Sequence, residues 1–132
     1  MPKIELSIHG DIHKTVIDNI AIKLTELTRD LLCKKPEVTR IHINRNMDLC
    51  YINAITITDE SAFDLGIYIT KGSCSDAQKQ QWIKESHQYL YKILGESMTN
   101  TPNYISIHEL DANSWGYNGV SQMARMMSKS NQ

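Results

Sequence analysis

The sequence predicts an α+β fold built from two copies of a β-α-β unit. Apolar residues alternate in two separate stretches, 3–9 and 63–69, as they do in β-strands. Each stretch is followed, after a glycine, by about twenty residues whose apolar side chains recur at helical spacing. Another alternating strand then follows each helix, at 38–43 and at 104–109. The two strands of a β-α-β unit lie parallel. Because the unit occurs twice, the chain contains an internal pseudo-twofold repeat.

The ends of the first helix are marked by local signals. A glycine and an aspartate interrupt the first strand, and Asp11 and Thr15 are both candidate N-caps. Apolar residues recur at helical spacing over 16–32. Pro36 disfavours helical geometry at the residue before it, so the helix should end by then.

The second helix has clearer boundaries. Ser75 and Gln78 have the spacing of a capping box, and Gly95 is a natural stop. The helix has an apolar stripe made of Ala77, Trp82, Ile83, Leu90, Ile93 and Leu94.

The connecting segments are predicted more coarsely. Residues 44–48 read as a loop, and 49–57 as an edge strand or a hairpin. Two glycines around an aromatic pair in 110–119 indicate a turn or short hairpin. We interpret 1–132 as one domain, with repeat one at about 2–58, repeat two at about 62–119 and a tail at 120–132 that is a brief docking helix or an extension.

Composition narrows the class of protein. The 132 residues are 41% apolar and 22% charged, as in a soluble globular domain, and the net charge of −1 does not favour nucleic acid or an acidic membrane. No apolar run is long enough to span a membrane, and no secretory signal is present, so a cytoplasmic location is expected. The three widely spaced cysteines fit free thiols better than a disulfide or metal pattern.

The start of the chain carries the main chemical candidate. Pro2 follows the initiator methionine and runs directly into the first strand. Removal of Met1 would leave a secondary amine at the start of a core strand. An ordinary α-amino group has a pKa of about 7.7–8.0, which suits a base near neutral pH. Most prolines at this position have no chemical role, so position alone does not assign one.

Three stretches together resemble the 4-oxalocrotonate tautomerase family, within the tautomerase superfamily that includes macrophage migration inhibitory factor. They are Met1-Pro2 before an alternating strand, residues 67–79, and residues 108–119 with their Trp-Gly-x-x-Gly ending. The resemblance covers nearly the whole chain as two fused copies. It implies a four-stranded mixed sheet with two helices on one face, assembled as a homotrimer. It also implies that Pro2 is the base in keto–enol proton transfer on a small carboxylate, without a metal or organic cofactor.

The resemblance implies further site residues, with departures from the family pattern. Arg40 stands where the family has an arginine that binds the substrate carboxylate, whereas Tyr104 holds the matching place in the second copy. Ser73 stands where an arginine often follows the glycine, and Lys71 is a possible substitute cation. Trp115 matches the aromatic wall of the pocket. Surface exposure of Arg40 and Lys71, core packing of Tyr104 and interface packing of Trp115 remain alternatives.

Three functional classes therefore remain open. The first is a cofactor-free tautomerase, with a variant in which protonated Pro2 acts as an acid in hydration, decarboxylation or dehalogenation. The second is a ferredoxin-like binding module, which shares the order of elements. The third is a trimeric scaffold that has lost catalysis. One secure cation and an aspartate at position 11 make a di-acid substrate doubtful.

Overall fold

The computed structural model describes residues 2–46, 49–58, 60–95 and 102–130, without the side chains of Asn46 and Ser130. Four strands form one sheet in the order β2-β1-β5-β6, and their bounds are β1 Lys3–His9, β2 Arg40–Asn46, β5 Ala62–Thr70 and β6 Tyr104–Leu110. β1 pairs parallel with β2, β5 pairs parallel with β6, and β1 joins the two pairs by an antiparallel pairing with β5. The predicted α+β fold with a mixed four-stranded sheet is confirmed.

Helix α1 spans Lys14–Leu32 and follows β1 after a short turn. Its N-cap is His13, whose Nδ1 accepts a hydrogen bond from the Thr15 N–H at 3.1 Å. The prediction of Asp11 or Thr15 as the cap was wrong. Thr15 lies inside the first turn, and the exposed Asp11 side chain lies 3.8 Å from Arg45 instead. The helix ends before Pro36, as expected, with Cys33 in the left-handed conformation.

Helix α2 spans Asp76–Leu94 and confirms both predicted boundaries. The hydroxyl of Ser75 accepts from the Gln78 N–H, the Gln78 side chain accepts from the Ser75 N–H, and Gly95 closes the helix at a φ of 58°. The buried stripe differs from the prediction, because it consists of Trp82, Ser86, Leu90 and Leu94. Ile83 was placed in the stripe by its apolar character but is 37% exposed.

The segments between the units depart from the sequence interpretation. A 3-10 turn at Pro36–Val38 delays β2, which begins at Arg40 and continues through Asn46. Residues 44–46 were predicted as loop, but they pair with the end of β1. The rest of that predicted loop, 47 and 48, lies outside the described residues, as does most of the predicted loop before β6.

Two small hairpins and a third helix complete the fold. β3 (Tyr51–Ile52) pairs with β4 (Ile55–Thr56), which gives the hairpin alternative for 49–57. β7 (Gly116–Tyr117) pairs with β8 (Val120–Ser121) around a turn with positive φ at its two central residues, and α3 spans Gln122–Ser130. None of these helices, over the residues described, is long and apolar enough to cross a membrane.

Both long helices pack on the same face of the sheet. The core combines alternate residues of the central strands, such as Leu6 and Leu65, with helix residues such as Leu24 and Leu90. One polar contact crosses this core, because the indole N–H of Trp82 donates to the Thr28 hydroxyl at 3.1 Å. The same hydroxyl donates to the Leu24 carbonyl at 2.7 Å. Because both long helices pack on the apolar face of the sheet, they leave the opposite, polar face uncovered.

We expect Thr28→Val to destabilise the fold by about 1–3 kcal/mol, because it leaves the buried Trp82 N–H without an acceptor. Chemical unfolding measures the change. Ser86→Ala is the matched control, since the buried Ser86 hydroxyl has no hydrogen-bond partner among the described residues. Its removal should leave stability unchanged or raise it. A Thr28→Val protein as stable as the parent would contradict the assigned role of this contact.

Candidate active site

A cleft of about 830 Å³ opens at the end of the sheet where β1 begins and where β5 and β6 end. The antiparallel pairing of Lys3 with Tyr68 brings the start of β1 beside the end of β5, and the parallel pairing of Thr70 with Leu110 adds the end of β6. The cleft is lined by Pro2, Lys3, Glu37, Val38, Thr39, Arg40, Leu110, Trp115, Gly116, Tyr117 and Asn118. Three of the residues selected from the sequence, at positions 2, 40 and 115, therefore lie around one cleft.

Pro2 is buried and its carbonyl is fixed by the sheet. The backbone N–H of Arg40 donates to the Pro2 carbonyl at 3.4 Å, which extends the β1–β2 pairing by one residue. This bond holds the proline ring at the start of a core strand rather than at a frayed terminus. Met1 lies outside the described residues.

Arg40 is the one arginine of the four whose guanidinium has no hydrogen bond or ion pair within the described part of the chain. Arg29 contacts Asp30, Arg45 contacts the Ile12 carbonyl, and Arg125 contacts the Tyr117 carbonyl. The Arg40 side chain is exposed at the cleft. A guanidinium presents a planar fork of donors that matches a carboxylate, so this side chain is available to bind one.

Trp115 is held at the cleft by its polar edge and its backbone. The indole N–H donates to the Thr70 hydroxyl at 3.1 Å, and the Trp115 carbonyl accepts from the Gln122 N–H at 2.9 Å. The next residue must be glycine, because a Cβ at Gly116 would collide with the carbonyl of Val120 across the hairpin. The β7–β8 hairpin thus fixes an aromatic wall opposite the start of β1.

Three other predicted site residues do not line this cleft. Lys71 lies at the same edge of the sheet, but it is exposed and its N–H donates to the Leu110 carbonyl at 2.8 Å. The Ser73 hydroxyl donates to the Thr70 carbonyl at 2.6 Å. Tyr104 begins β6 at the opposite end of the sheet and is 65% exposed, so core packing was also a wrong expectation for it.

Asp11 lies too far from the cleft to repel an anion bound there. It follows β1 at the end of the strand remote from Pro2, and its side chain is 95% exposed. The acid that does line the cleft is Glu37, in the turn before β2, and the sequence analysis missed it. Tyr117 was also missed, although a period of two from Trp115 in a predicted hairpin would have placed both on one face.

A network of charged side chains contacts the turn between β5 and α2, at the same end of the sheet as the cleft. The Lys79 ammonium donates to Glu109 at 2.8 Å and lies 3.1 Å from Asp76. This contact, together with the N–H of Gly72, holds the pKa of Glu109 below its usual value. The same hydrogen bonds to Glu109 and Asp76 raise the pKa of Lys79. The network ties the start of α2 to the end of β6.

The described residues that line the cleft include the cations Lys3 and Arg40, the carboxylate of Glu37 and the aromatic side chains of Trp115 and Tyr117. Within the described residues there is no group of three His, Cys, Asp or Glu side chains that could hold a metal ion. The arrangement combines a buried ring at the chain start, a guanidinium and an aromatic wall. The guanidinium of Arg40, beside Pro2 and Trp115, can donate paired hydrogen bonds to a small carboxylate.

Comparison with known proteins agrees with this architecture. No protein-family model matches the chain, and no curated protein matches it in sequence. Among solved structures, a fused 4-OT described as a wild-type asymmetric trimer is similar with a TM-score of 0.79 at 16% identity, over 93% of this chain and 98% of that one. A macrophage migration inhibitory factor-like protein from Entamoeba histolytica has a TM-score of 0.73 at 14% identity, over 91% and 97%.

A third similar structure is N1, a member of the cis-3-chloroacrylic acid dehalogenase family. It has a TM-score of 0.70 at 11% identity, over 89% of this chain and 82% of that one. These TM-scores establish a shared fold, whereas identities this low leave the activity open. The resemblance seen in the sequence is confirmed at the level of the fold, which the chain shares with these 4-OT, migration inhibitory factor-like and dehalogenase-family structures.

Proposed function

We propose that this chain is a cofactor-free tautomerase that acts on a small 2-oxo or 2-hydroxy carboxylic acid. The observation that carries the proposal is the convergence of Pro2, Arg40 and Trp115 on one cleft. These positions are far apart in sequence, so their convergence comes from the fold and not from a local motif. The similarity to fused 4-OT structures supports the same reaction class.

In the proposed mechanism Pro2, freed of Met1, is the general base. Its ring nitrogen takes a proton from the carbon or the enol oxygen of the substrate and returns it to the other atom. Arg40 binds the substrate carboxylate, and its positive charge stabilises the negative charge that develops on the enolate. Trp115 and the apolar part of the wall limit access of water to the reacting atoms.

The charges around the cleft favour a base over an acid. Among the described residues that line it, Lys3 and Arg40 are cations and Glu37 supplies the one carboxylate. Burial and neighbouring cations both disfavour the protonated amine. We therefore expect a neutral Pro2 nitrogen at neutral pH, which is the form that abstracts a proton.

We also propose that the chain works as a homotrimer. The fused 4-OT structures are described as trimers. In this chain the sheet face opposite the helices carries exposed polar side chains, including Glu5, His42 and His108, which the chain's own helices leave uncovered. Contact with other copies would cover this face.

Light scattering on a size-exclusion column should give about three chain masses.

The proposed reaction is tested by ketonisation of phenylenolpyruvate and of 2-hydroxymuconate. We expect turnover by protein whose mass shows that Met1 is absent, in buffer without added metal or cofactor and with a chelator present. A rate no higher than buffer alone on both compounds would contradict the proposal. Halide release from 3-chloroacrylate without ketonisation would instead favour the alternative in which protonated Pro2 acts as an acid.

A further inference from the structure

A second cleft, of about 640 Å³, lies between the end of α1 and helix α3. It touches the Pro2 cleft only at Val38 and Tyr117, which line both. The cations around it are Lys34 and Lys35 after α1, and Arg125 and Lys129 on α3. No acidic side chain is among the described residues that line it. Its formal charge is therefore up to four positive, in a chain whose net charge is −1.

Two buried donors of residues that line this cleft have no hydrogen-bond partner in the part of the chain that the structure describes. Gln122 is 7% exposed, and its side-chain Nε2 makes no hydrogen bond with the described residues. Nε of Arg125 is likewise buried and unpaired. Buried donors are nearly always satisfied in folded proteins, so two in one cleft call for a ligand that accepts hydrogen bonds.

The Arg125 side chain is already held in place. Its Nη2 donates to the Tyr117 carbonyl at 3.0 Å, and its guanidinium carbon lies 3.7 Å from the centre of the Tyr117 ring. Lys34 is oriented by donation to the Ser73 hydroxyl at 2.9 Å. Groups fixed in this way lose little conformational freedom on binding.

The start of α3 does not supply the binding donors. The Gln122 N–H donates to Trp115, the Met123 N–H to Ala112, and the Ala124 N–H to the Ser121 hydroxyl. Recognition must therefore come from side chains. An amide N–H, a guanidinium N–H and ammonium groups are all donors, and together they match an oxyanion.

We propose that this second cleft binds a multiply charged oxyanion, of which a phosphate group is the simplest example. This cleft shares only Val38 and Tyr117 with the Pro2 cleft, and the proposal does not depend on the proposed reaction. Four lysine and arginine side chains favour a ligand with two or more negative charges over a single carboxylate. Gln122 and Arg125 lie three residues apart on α3, so the two unpaired donors belong to one face of that helix.

The test is calorimetric titration of the full chain with pyrophosphate, inorganic phosphate and acetate at constant ionic strength. We expect affinity to fall in that order. Lys129→Ala and Gln122→Leu should each weaken pyrophosphate binding by about tenfold or more, while Lys92→Ala, at an exposed site on α2, should not change it. Pro2→Ala should bind pyrophosphate normally, which keeps this test independent of catalysis.

Two outcomes would overturn the proposal. One is the absence of binding heat beyond the ionic-strength control for all three anions. The other is pyrophosphate binding that Lys129→Ala and Gln122→Leu reduce no more than Lys92→Ala does. If Gln122→Leu fails to fold, Lys129→Ala alone decides, since Lys129 is exposed near the end of α3.

Discussion

Replacing Pro2 with alanine is expected to lower kcat for ketonisation by about 10²-fold or more. A positioned general base typically contributes about 10²–10⁴-fold. Alanine leaves a primary amine on a more mobile backbone, so a residual rate is expected. The measurement is the steady-state rate on phenylenolpyruvate, with mass spectrometry to verify that Met1 is absent in both proteins.

Pro102→Ala is the matched control for this substitution. Pro102 is exposed and precedes β6 at the end of the sheet remote from the cleft, so its replacement should leave kcat unchanged. Because Pro2 is buried, thermal unfolding of the Pro2→Ala protein must show an intact fold. Equal rates for parent and Pro2→Ala would leave Pro2 without a chemical role.

Replacing Arg40 with alanine is expected to reduce kcat/KM by about 10- to 150-fold, which corresponds to about 1.5–3 kcal/mol for a hydrogen bond between charged groups. We expect a raised KM and a lowered kcat with the assembly intact, because the Arg40 guanidinium makes no hydrogen bond or ion pair within the described residues and is proposed to bind the substrate carboxylate. The loss should shrink on a methyl ester of the same substrate, which has no carboxylate for the guanidinium to bind. Steady-state kinetics on both compounds measures the difference.

Arg45→Ala separates this effect from a general loss of positive charge. Arg45 lies on the same strand, but its guanidinium donates to the Ile12 carbonyl at the other end of the sheet. Its replacement should leave kcat/KM unchanged. An Arg40→Ala protein that loses as much activity on the ester as on the acid would show that Arg40 does not bind the carboxylate.

The repeated β-α-β pattern could be predicted from the sequence because the two periodicities are local. Alternation at Ile4, Leu6 and Ile8 and the capping box at Ser75 each depend on a few neighbouring residues. The start and the end of β2 were harder to place. The 3-10 turn at Pro36–Val38 resembles the beginning of a strand in sequence, and pairing with β1 extends β2 through residues 44–46.

Residues that line the cleft could be predicted only where the residue type indicates a specific chemical role, such as a base or an anion binder. Pro2 and Arg40 were selected because the family resemblance gave each a role that its position alone did not, and both line the cleft. Tyr104 was misplaced because the pseudo-twofold that equates it with Arg40 also moves it to the opposite end of the sheet. Glu37 and the cleft beside α3 depend on contacts between distant segments, which no local pattern reveals.

The central claim is tested most directly by comparing the same protein with and without Met1. Intact mass identifies each form, and an aminopeptidase converts one into the other. We expect ketonisation to be absent while methionine blocks the ring nitrogen, and to rise in proportion to the fraction of chains that begin at Pro2. Equal turnover by the chain that retains Met1 would contradict the assignment of this nitrogen as the base.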